Sequence, residues 1–356
     1  MKKLIISTPA RICLFGEHQD YLGLPVIACA ITRRISFEAS HRSDRRVIVD
    51  MRDIGAMEEF DLGEDIVYSN PRDYLKSSVN VLRKNGFSFS RGIDANIKSD
   101  IPINAGASSS SALTVGWINL LARLSDQAVE LPQSEIAEYA HAAEVLEFGE
   151  PGGMMDHYAT SVGGVIHLES HPRVSIEKLA GGPGAVVVGN SGEPKNTRDI
   201  LARVKFGVLD IVSKIKLSNP SFSLHDFVRD DLPSLKDTLN AGELHLLNGT
   251  LTNRDITREA RKELSKSRPD LGYIGKLLND HQEVLRDILK ISTVKIDAMI
   301  QAALDAGAAG AKINGSGGGG TMFAIAPEYP EKILRAVSVI APDSFIVYSD
   351  EGTKAE

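Results

Sequence analysis

Three stretches of this 356-residue chain concentrate side chains that could do chemistry. The turn Arg11-Ile-Cys-Leu-Phe-Gly-Glu-His-Gln-Asp-Tyr21 is dense in groups that bind hydroxyls. Glu17 and Asp20 accept hydrogen bonds, His18 can donate or accept, and Arg11 offers a fixed fork of donors. A charged surface turn is the plainer reading. A metal site is the weaker one, because His18 and Asp20 supply only two ligands with no third at matching spacing. The second stretch, Glu144-Val-Leu-Glu-Phe-Gly-Glu-Pro-Gly-Gly-Met-Met-Asp156, places one acid at the end of an expected helix and another after a glycine break. Asp156 stands among Met154, Met155 and Tyr158, and an unpaired buried carboxylate is costly. It should therefore be paired, with Arg11 as the candidate partner, and that pairing would keep it ionised. Capping of a helix that starts near His157 is the alternative role for Asp156.

The third stretch is Ile101-Pro-Ile-Asn-Ala-Gly-Ala-Ser-Ser-Ser-Ser-Ala112, which leads straight into an apolar helical segment ending at Leu124. Small residues let backbone approach a ligand, and the first N–H groups of a helix lack partners inside it. With the helix dipole they form an anion site, most often for phosphate. One serine would suffice as a cap, and four in a row exceed that need. A further loop, Gly315-Ser-Gly-Gly-Gly-Gly320, has the letters of a dinucleotide fingerprint but not its context. That fingerprint requires a helix after the glycines, whereas Thr321-Met-Phe-Ala-Ile-Ala predicts a strand. No Gly-Lys-Ser/Thr follows, so a Walker A loop fails too. What remains is a glycine hairpin able to approach a ligand.

These loops need elements to hold them. Alternation and turn residues predict strands at Leu4–Ser7 (ending at Pro9), Val26–Thr32, Ile35–Ser40, Val47–Met51, Ile93–Ile97, Val165–Leu168 and Ala185–Val188. Later strands are expected at Ala309–Ile313, Thr321–Ile325 and Phe345–Tyr348. Helices are expected over Pro71–Lys84, Leu113–Leu124, Leu131–Phe148, most of the region from Val188 to Ala306, and Glu328–Ser338. The run Leu179-Ala-Gly-Gly-Pro-Gly184 is the candidate boundary between domains 1–182 and 183–356. The class is α+β in two lobes.

Composition narrows the function. The chain is 42% hydrophobic and 24% charged, as a globular protein is. A net charge of −7 argues against a general nucleic-acid or anionic-membrane binder. Cys13 and Cys29, the only cysteines, form no metal or disulfide pattern and fit a reducing cytosol. No apolar run approaches the roughly 20 residues of a membrane span. Nothing at the N-terminus reads as a signal peptide, so a cytoplasmic location is expected.

Taken together, the stretches resemble the three motifs of the GHMP kinases, and most of all those of the galactokinases. Thr8-Pro-Ala-Arg-Ile-Cys-Leu-Phe-Gly-Glu-His-Gln-Asp-Tyr21 is similar to the galactokinase signature. Pro102-Ile-Asn-Ala-Gly-Ala-Ser-Ser-Ser110 resembles the phosphate-binding motif, and Gly310-Ala-Lys-Ile-Asn-Gly-Ser-Gly-Gly-Gly-Gly320 the third motif. The resemblance implies the two-lobed GHMP fold, with an N-terminal lobe like domain 2 of ribosomal protein S5 and a ferredoxin-like C-terminal lobe. It implies an ATP-dependent, Mg²⁺-requiring sugar kinase that phosphorylates a hydroxyl, anomeric in the galactokinases. Gly106, Ala107, Ser108, Ser109 and Ser110 would wrap the ATP phosphates, and Ser110 with Glu144 would hold Mg²⁺. Asp156 would orient or deprotonate the attacking hydroxyl, with Arg11 stabilising both Asp156 and the transferred phosphoryl. Glu17, His18 and Asp20 would bind sugar hydroxyls, and Gly315 and Gly317 would close over the substrate. The implied partners are a small-molecule sugar and ATP, with neither nucleic acid nor membrane.

The chain departs from the galactokinase pattern at Cys13 (Asn there), Gly152 (Cys), His157 (Gln) and Ser111 (Ala). None removes a catalytic group, but they bear on which sugar is bound. A basic residue near the sugar would favour an acidic acceptor, with Lys195 and Arg198 as candidates. Rival readings are a kinase for a heptose phosphate or for a non-sugar alcohol such as mevalonate, and a sugar- and ATP-binding regulator without catalysis. A nicotinamide enzyme would need a helix after Gly320. The sequence assigns neither the adenine contacts nor the oligomeric state.

Overall fold

The computed structural model describes residues 3–63, 65–102, 106–194 and 197–356. Ile103, Asn104 and Ala105 of the serine loop, Lys195, and the side chain of Arg198 lie outside the described residues. The first sheet is built on β1 (Leu4–Phe15) and β2 (Val26–His41), paired antiparallel from Leu4↔Ala39 to Phe15↔Ile27. The expected stop at Pro9 does not occur, and the two expected strands between Val26 and Ser40 are one. Pro9 lies opposite Arg34 at a register shift between Pro9 and Ala10. At such a bulge a residue without an N–H costs the ladder little, so the strand continues to Phe15. That continuation brings Arg11 to the rim of the sheet.

Beyond β2 come β5 (Ile93–Ser99), then β3 (Arg46–Met51) parallel to it, and β4 (Ala56–Asp61). The first half of β2 also pairs with β6 (Val165–Glu169), which carries β7 (Ser175–Leu179). At the other edge β12 (Lys354–Ala355) lies on β1, with Ile6 opposite Ala355. Helices α1 (Tyr74–Lys84), α2 (Ser109–Leu124), α3 (Gln133–His141) and α4 (Met155–Val162) pack together beside this sheet. Helix α2 is apolar on nearly every side, and Trp117, Ile118, Leu120 and Leu121 are fully buried. A Cβ on Gly116 would stand 2.2 Å from the Phe37 ring, so only glycine lets helix and sheet come this close.

The second sheet orders β11 (Phe345–Val347), β8 (Val186–Asn190), β10 (Thr321–Ile325) and β9 (Gly310–Ile313), all antiparallel. Helices α5 (Thr197–Ser218), α6 (Ala241–Leu264), α7 (Leu271–Glu283), α8 (Val294–Asp305) and α9 (Pro330–Ser338) complete this half. Their starts are written in the sequence: Asn240 and Glu243 form a reciprocal capping box, and Asp270 and Thr293 cap α7 and α8. The α+β class is as expected. One apolar core runs through both halves, joining Phe37 and Trp117 to Ile274, Phe323 and Val347. Among the described residues no helix is long and apolar enough to cross a membrane.

Candidate active site

A cleft of about 780 Å³ is bordered by the turn after β1, the serine loop, the start of α4 and the glycine loop after β9. That volume suits a ligand of cofactor size. Asp156 projects into it from the first turn of α4. Arg11 grips its carboxylate through Nε to Oδ1 at 2.7 Å and Nη2 to Oδ2 at 2.6 Å. The Arg11 side chain is 4% exposed while Asp156 keeps 29% of its side chain open. The pair therefore presents a carboxylate, not a guanidinium, to whatever enters. Ser108 donates a further bond to Oδ2 at 2.5 Å, and Arg11 Nη1 donates to the carbonyl of Gly106 at 2.7 Å. Burial pushes the Asp156 carboxyl up, but the charge and fork of Arg11, aided by Ser108, outweigh it and hold the group below its ordinary value.

Ser108 takes the left-handed conformation (φ 56°) and does not cap α2, because its hydroxyl serves Asp156. The first N–H groups of α2 thus lack a side-chain cap where Ser109 and Ser110 border the cleft. Glu144 faces this helix start. The expected helix from Leu131 is shorter at its N-terminus, and beyond His141 it widens into a π-type turn, Ala142–Leu146, that carries Glu144. Such wide turns cluster at functional sites because they re-aim one side chain. His157 Nε2 lies 2.8 Å from Glu144 Oε2. Burial raises the Glu144 carboxyl, yet His157 and then Ser110 more than compensate and keep it below its ordinary value. A carboxylate beside a hydroxyl at an uncapped helix start is the donor chemistry a hard divalent cation takes. Among the described residues no cluster of three His, Cys, Asp or Glu side chains could hold a metal by itself.

At the other side of Asp156, Asp20 accepts from the backbone N–H of Met155 at 3.1 Å and so caps α4. Burial raises the Asp20 carboxyl, and the charge of Asp156 adds to that. His18, at φ 64°, bridges the Tyr21 hydroxyl at 2.7 Å and the Ser316 carbonyl at 3.0 Å, which joins the first turn to the glycine loop. Glu17 is 2% exposed, with Oε1 bonded to Lys312 and Oε2 without a partner. Gly315 borders the cleft. Gly317 packs the other way, since a Cβ there would meet Ile291 at 2.6 Å. Ala107 is buried and uses its carbonyl on the Arg11 N–H at 3.4 Å.

Sequence reasoning passed over several groups that the structure brings here. Ile35, Met51, Ile54, Ile97, Ile101 and Leu113 form an apolar wall of the same cleft. Arg72 and Glu150 border it as a bidentate pair at 3.0 and 3.1 Å. Lys312 stands in the apolar strand Gly310-Ala-Lys-Ile, and a lone lysine in such a run is the signal of a paired buried charge. A strand follows Gly320 at once, which removes the nicotinamide reading.

The fold and this constellation define a phosphotransferase whose acceptor is an alcohol, and comparison with known proteins places it. Residues 73–164 match the GHMP kinases N terminal domain, residues 260–339 the GHMP kinases C terminal domain, and residues 1–41 the galactokinase galactose-binding signature. The mevalonate kinase of Pyrococcus furiosus is 30% identical over 99% of this chain and 98% of its own. The chain belongs to the GHMP kinase family. A crystal structure of Lactococcus lactis galactokinase complexed with galactose superposes with a TM-score of 0.87 at 22% identity, covering 100% of this chain and 95% of that one. The Methanococcus jannaschii mevalonate kinase gives 0.73 at 22% identity over 98% of both chains.

Proposed function

We propose that this kinase transfers the γ-phosphoryl group of ATP to a hydroxyl of a neutral sugar of the galactose class. The observation that carries the reading is the chemistry of the acceptor end. Asp20 stands close enough to Asp156 to feel its charge, and Glu17 borders the same space. Carboxylate oxygens accept hydrogen bonds and cannot donate them, so they select a ligand rich in hydroxyls and repel a carboxylate. A polyol satisfies them, whereas the anion mevalonate would meet like charge there. The match to the galactose-binding signature supports the same choice.

In this reading Asp156 orients the acceptor hydroxyl and takes its proton as the oxygen bonds to the γ-phosphorus and the bridging P–O bond to ADP breaks. Arg11 keeps Asp156 ionised and lends positive charge at the transferring group. The backbone from Gly106 to Ser110 and the start of α2 cradle the phosphates. The nucleotide base lies on the apolar wall formed by Met51, Ile97 and Leu113. Ser110 and Glu144 would hold Mg²⁺, which would supply positive charge against the phosphates. His18, Asp20 and Glu17 contact the sugar, and Gly315 borders it, while Gly317 shapes the loop behind. The working domain division is 1–182 and 183–356, with the segment from Ser349 to Ala355 returning to the first sheet.

A second reading, mevalonate phosphorylation, is favoured by the full-length likeness to the Pyrococcus furiosus mevalonate kinase. ADP release with Mg-ATP against galactose, N-acetylgalactosamine, galacturonate, L-arabinose, a heptose phosphate and mevalonate separates the two. Turnover of a neutral sugar is the expected result. Turnover of mevalonate alone overturns the sugar reading.

A further inference from the structure

Lys312 on β9 has no exposed surface. Its ammonium has three hydrogens to give, and they go to the Cys13 carbonyl at 3.0 Å, the Ile313 carbonyl at 2.9 Å and Glu17 Oε1. Burying an ammonium is expensive unless it is fully paired, and the phosphoryl transfer derived above makes no use of this one. Its bonds reach from the second sheet into the first, where Cys13 ends the straight part of β1 and Glu17 begins the acceptor turn. Glu17 is thereby held by one oxygen. The other, Oε2, is buried and unpartnered, while Glu17 as a residue borders the cleft. His281 of α7 comes no nearer to Oε2 than 3.8 Å. Burial, together with the charge of Lys312, holds His281 well below its ordinary value, so it stays neutral and leaves Lys312 as the counter-charge of Glu17.

We infer that Lys312 is a positioning residue for the acceptor: by tying Oε1 of Glu17 it fixes that carboxylate at the border of the cleft, where it serves one substrate hydroxyl as a hydrogen-bond acceptor. The inference rests on the reading that an alcohol occupies this end of the cleft, and not on which alcohol it is. Binding of the acceptor then depends on a strand of the second sheet that does not itself touch it. A substrate lacking the matching hydroxyl leaves that carboxylate short of a partner, which a polar site penalises heavily.

The test is a double-mutant cycle of Lys312→Met, Glu17→Gln and the double variant. It is measured with ATP and whichever alcohol of the panel above the wild type turns over fastest. Lys312→Met is expected to raise KM for the acceptor by about tenfold or more, with KM for ATP within about twofold. Because Lys312 acts through Glu17, the double variant should match Glu17→Gln in acceptor KM within about threefold. A folded Lys312→Met protein with wild-type acceptor KM overturns the inference. So does a double variant whose loss is the product of the two single losses. Lys312→Met strands a buried carboxylate and can fail to fold. The double variant carries no unpaired charge, and its comparison with Glu17→Gln then decides the matter alone. Should the fastest acceptor be mevalonate, the sugar reading falls while Lys312 is still judged on the same ratios.

Discussion

Arg11 and Asp156 meet as a parallel fork, with two bonds of 2.7 and 2.6 Å, and only the carboxylate side of the pair faces the cleft. The hydrogen bonds of the arginine fork are thus committed to holding the base, and only its charge reaches the cleft. Asp156→Asn should lower kcat by about 10²–10⁴-fold while KM for ATP stays within about threefold, as expected when a proton-accepting group is removed. Arg11→Lys keeps a positive charge but cannot form the fork, and should also lose kcat, by about tenfold or more. Steady-state kinetics of both variants check this. Full turnover in Asp156→Asn would remove Asp156 from its role.

The same pair sets the acid side of the pH profile. With Asp156 below its ordinary value in the folded protein, the ion pair stabilises the fold above the unfolded pKa of about 3.9. That contribution is lost as pH falls through the lower, folded value. In Arg11→Met burial is no longer opposed, so the acid limb of kcat should move to higher pH. A pH–rate series on both proteins measures it, and an unmoved limb would assign that limb to another group.

Asp20 has the opposite sign. Burial first, and Asp156 second, raise its carboxyl above the ordinary value. Its ionised form therefore costs stability at neutral pH, and the cost fades as pH falls through the raised value. Asp20→Asn keeps an oxygen for the Met155 N–H but removes the charge. Melting temperature at pH 7 should hold or rise while acceptor KM rises about tenfold. A fall in both would show that the carboxylate is needed for the fold.

Two adjacent glycines should behave differently. A Cβ on Gly153 would fall 1.9 Å from Asp20 Oδ2, whereas one on Gly152 meets only Val145, at 3.6 Å. Gly153→Ala should displace Asp20 and raise acceptor KM about tenfold with ATP little affected. Gly152→Ala should fold and bind ATP as the wild type does. Equal acceptor defects in the two would mean that Asp20 is not the group disturbed.

Glu144→Gln tests the cation site. Loss of one anionic ligand should raise the Mg²⁺ concentration for half-maximal activity by about tenfold, and chelation should silence the wild type. An unchanged Mg²⁺ requirement would place the ion elsewhere.

Much of this was legible before the structure. The pairing of Arg11 with Asp156 followed from the cost of a carboxylate among methionines, and the serine loop from its excess over a cap. The strand after Gly320 followed from its period. Other features were not legible because they depend on long-range placement. Nothing local shows that Ser108 turns its hydroxyl away from α2 toward Asp156, or that the widened turn at Ala142–Leu146 aims Glu144 at Ser110. Lys312 could be marked as buried and paired, but not with Glu17, until β9 is set beside β1. Pro9 misled because a bulge excuses a missing N–H, and a bulge belongs to a pair of strands, not to one.

The pairing of Ile6 with Ala355 has a consequence for the support of α4. Thr353, just before β12, bonds Thr8 Oγ1 at 2.7 Å and sends its N–H to the Thr160 carbonyl of α4 at 3.0 Å. The helix that presents Asp156 is thus propped by a segment that follows both motif loops in the chain. A nascent chain that has finished both lobes still has an open edge on β1 and a loose α4. Premature termination near Tyr348 would release a protein with both motif loops complete and its base unsupported. Activity should appear only once the segment from Ser349 to Ala355 has joined the first sheet.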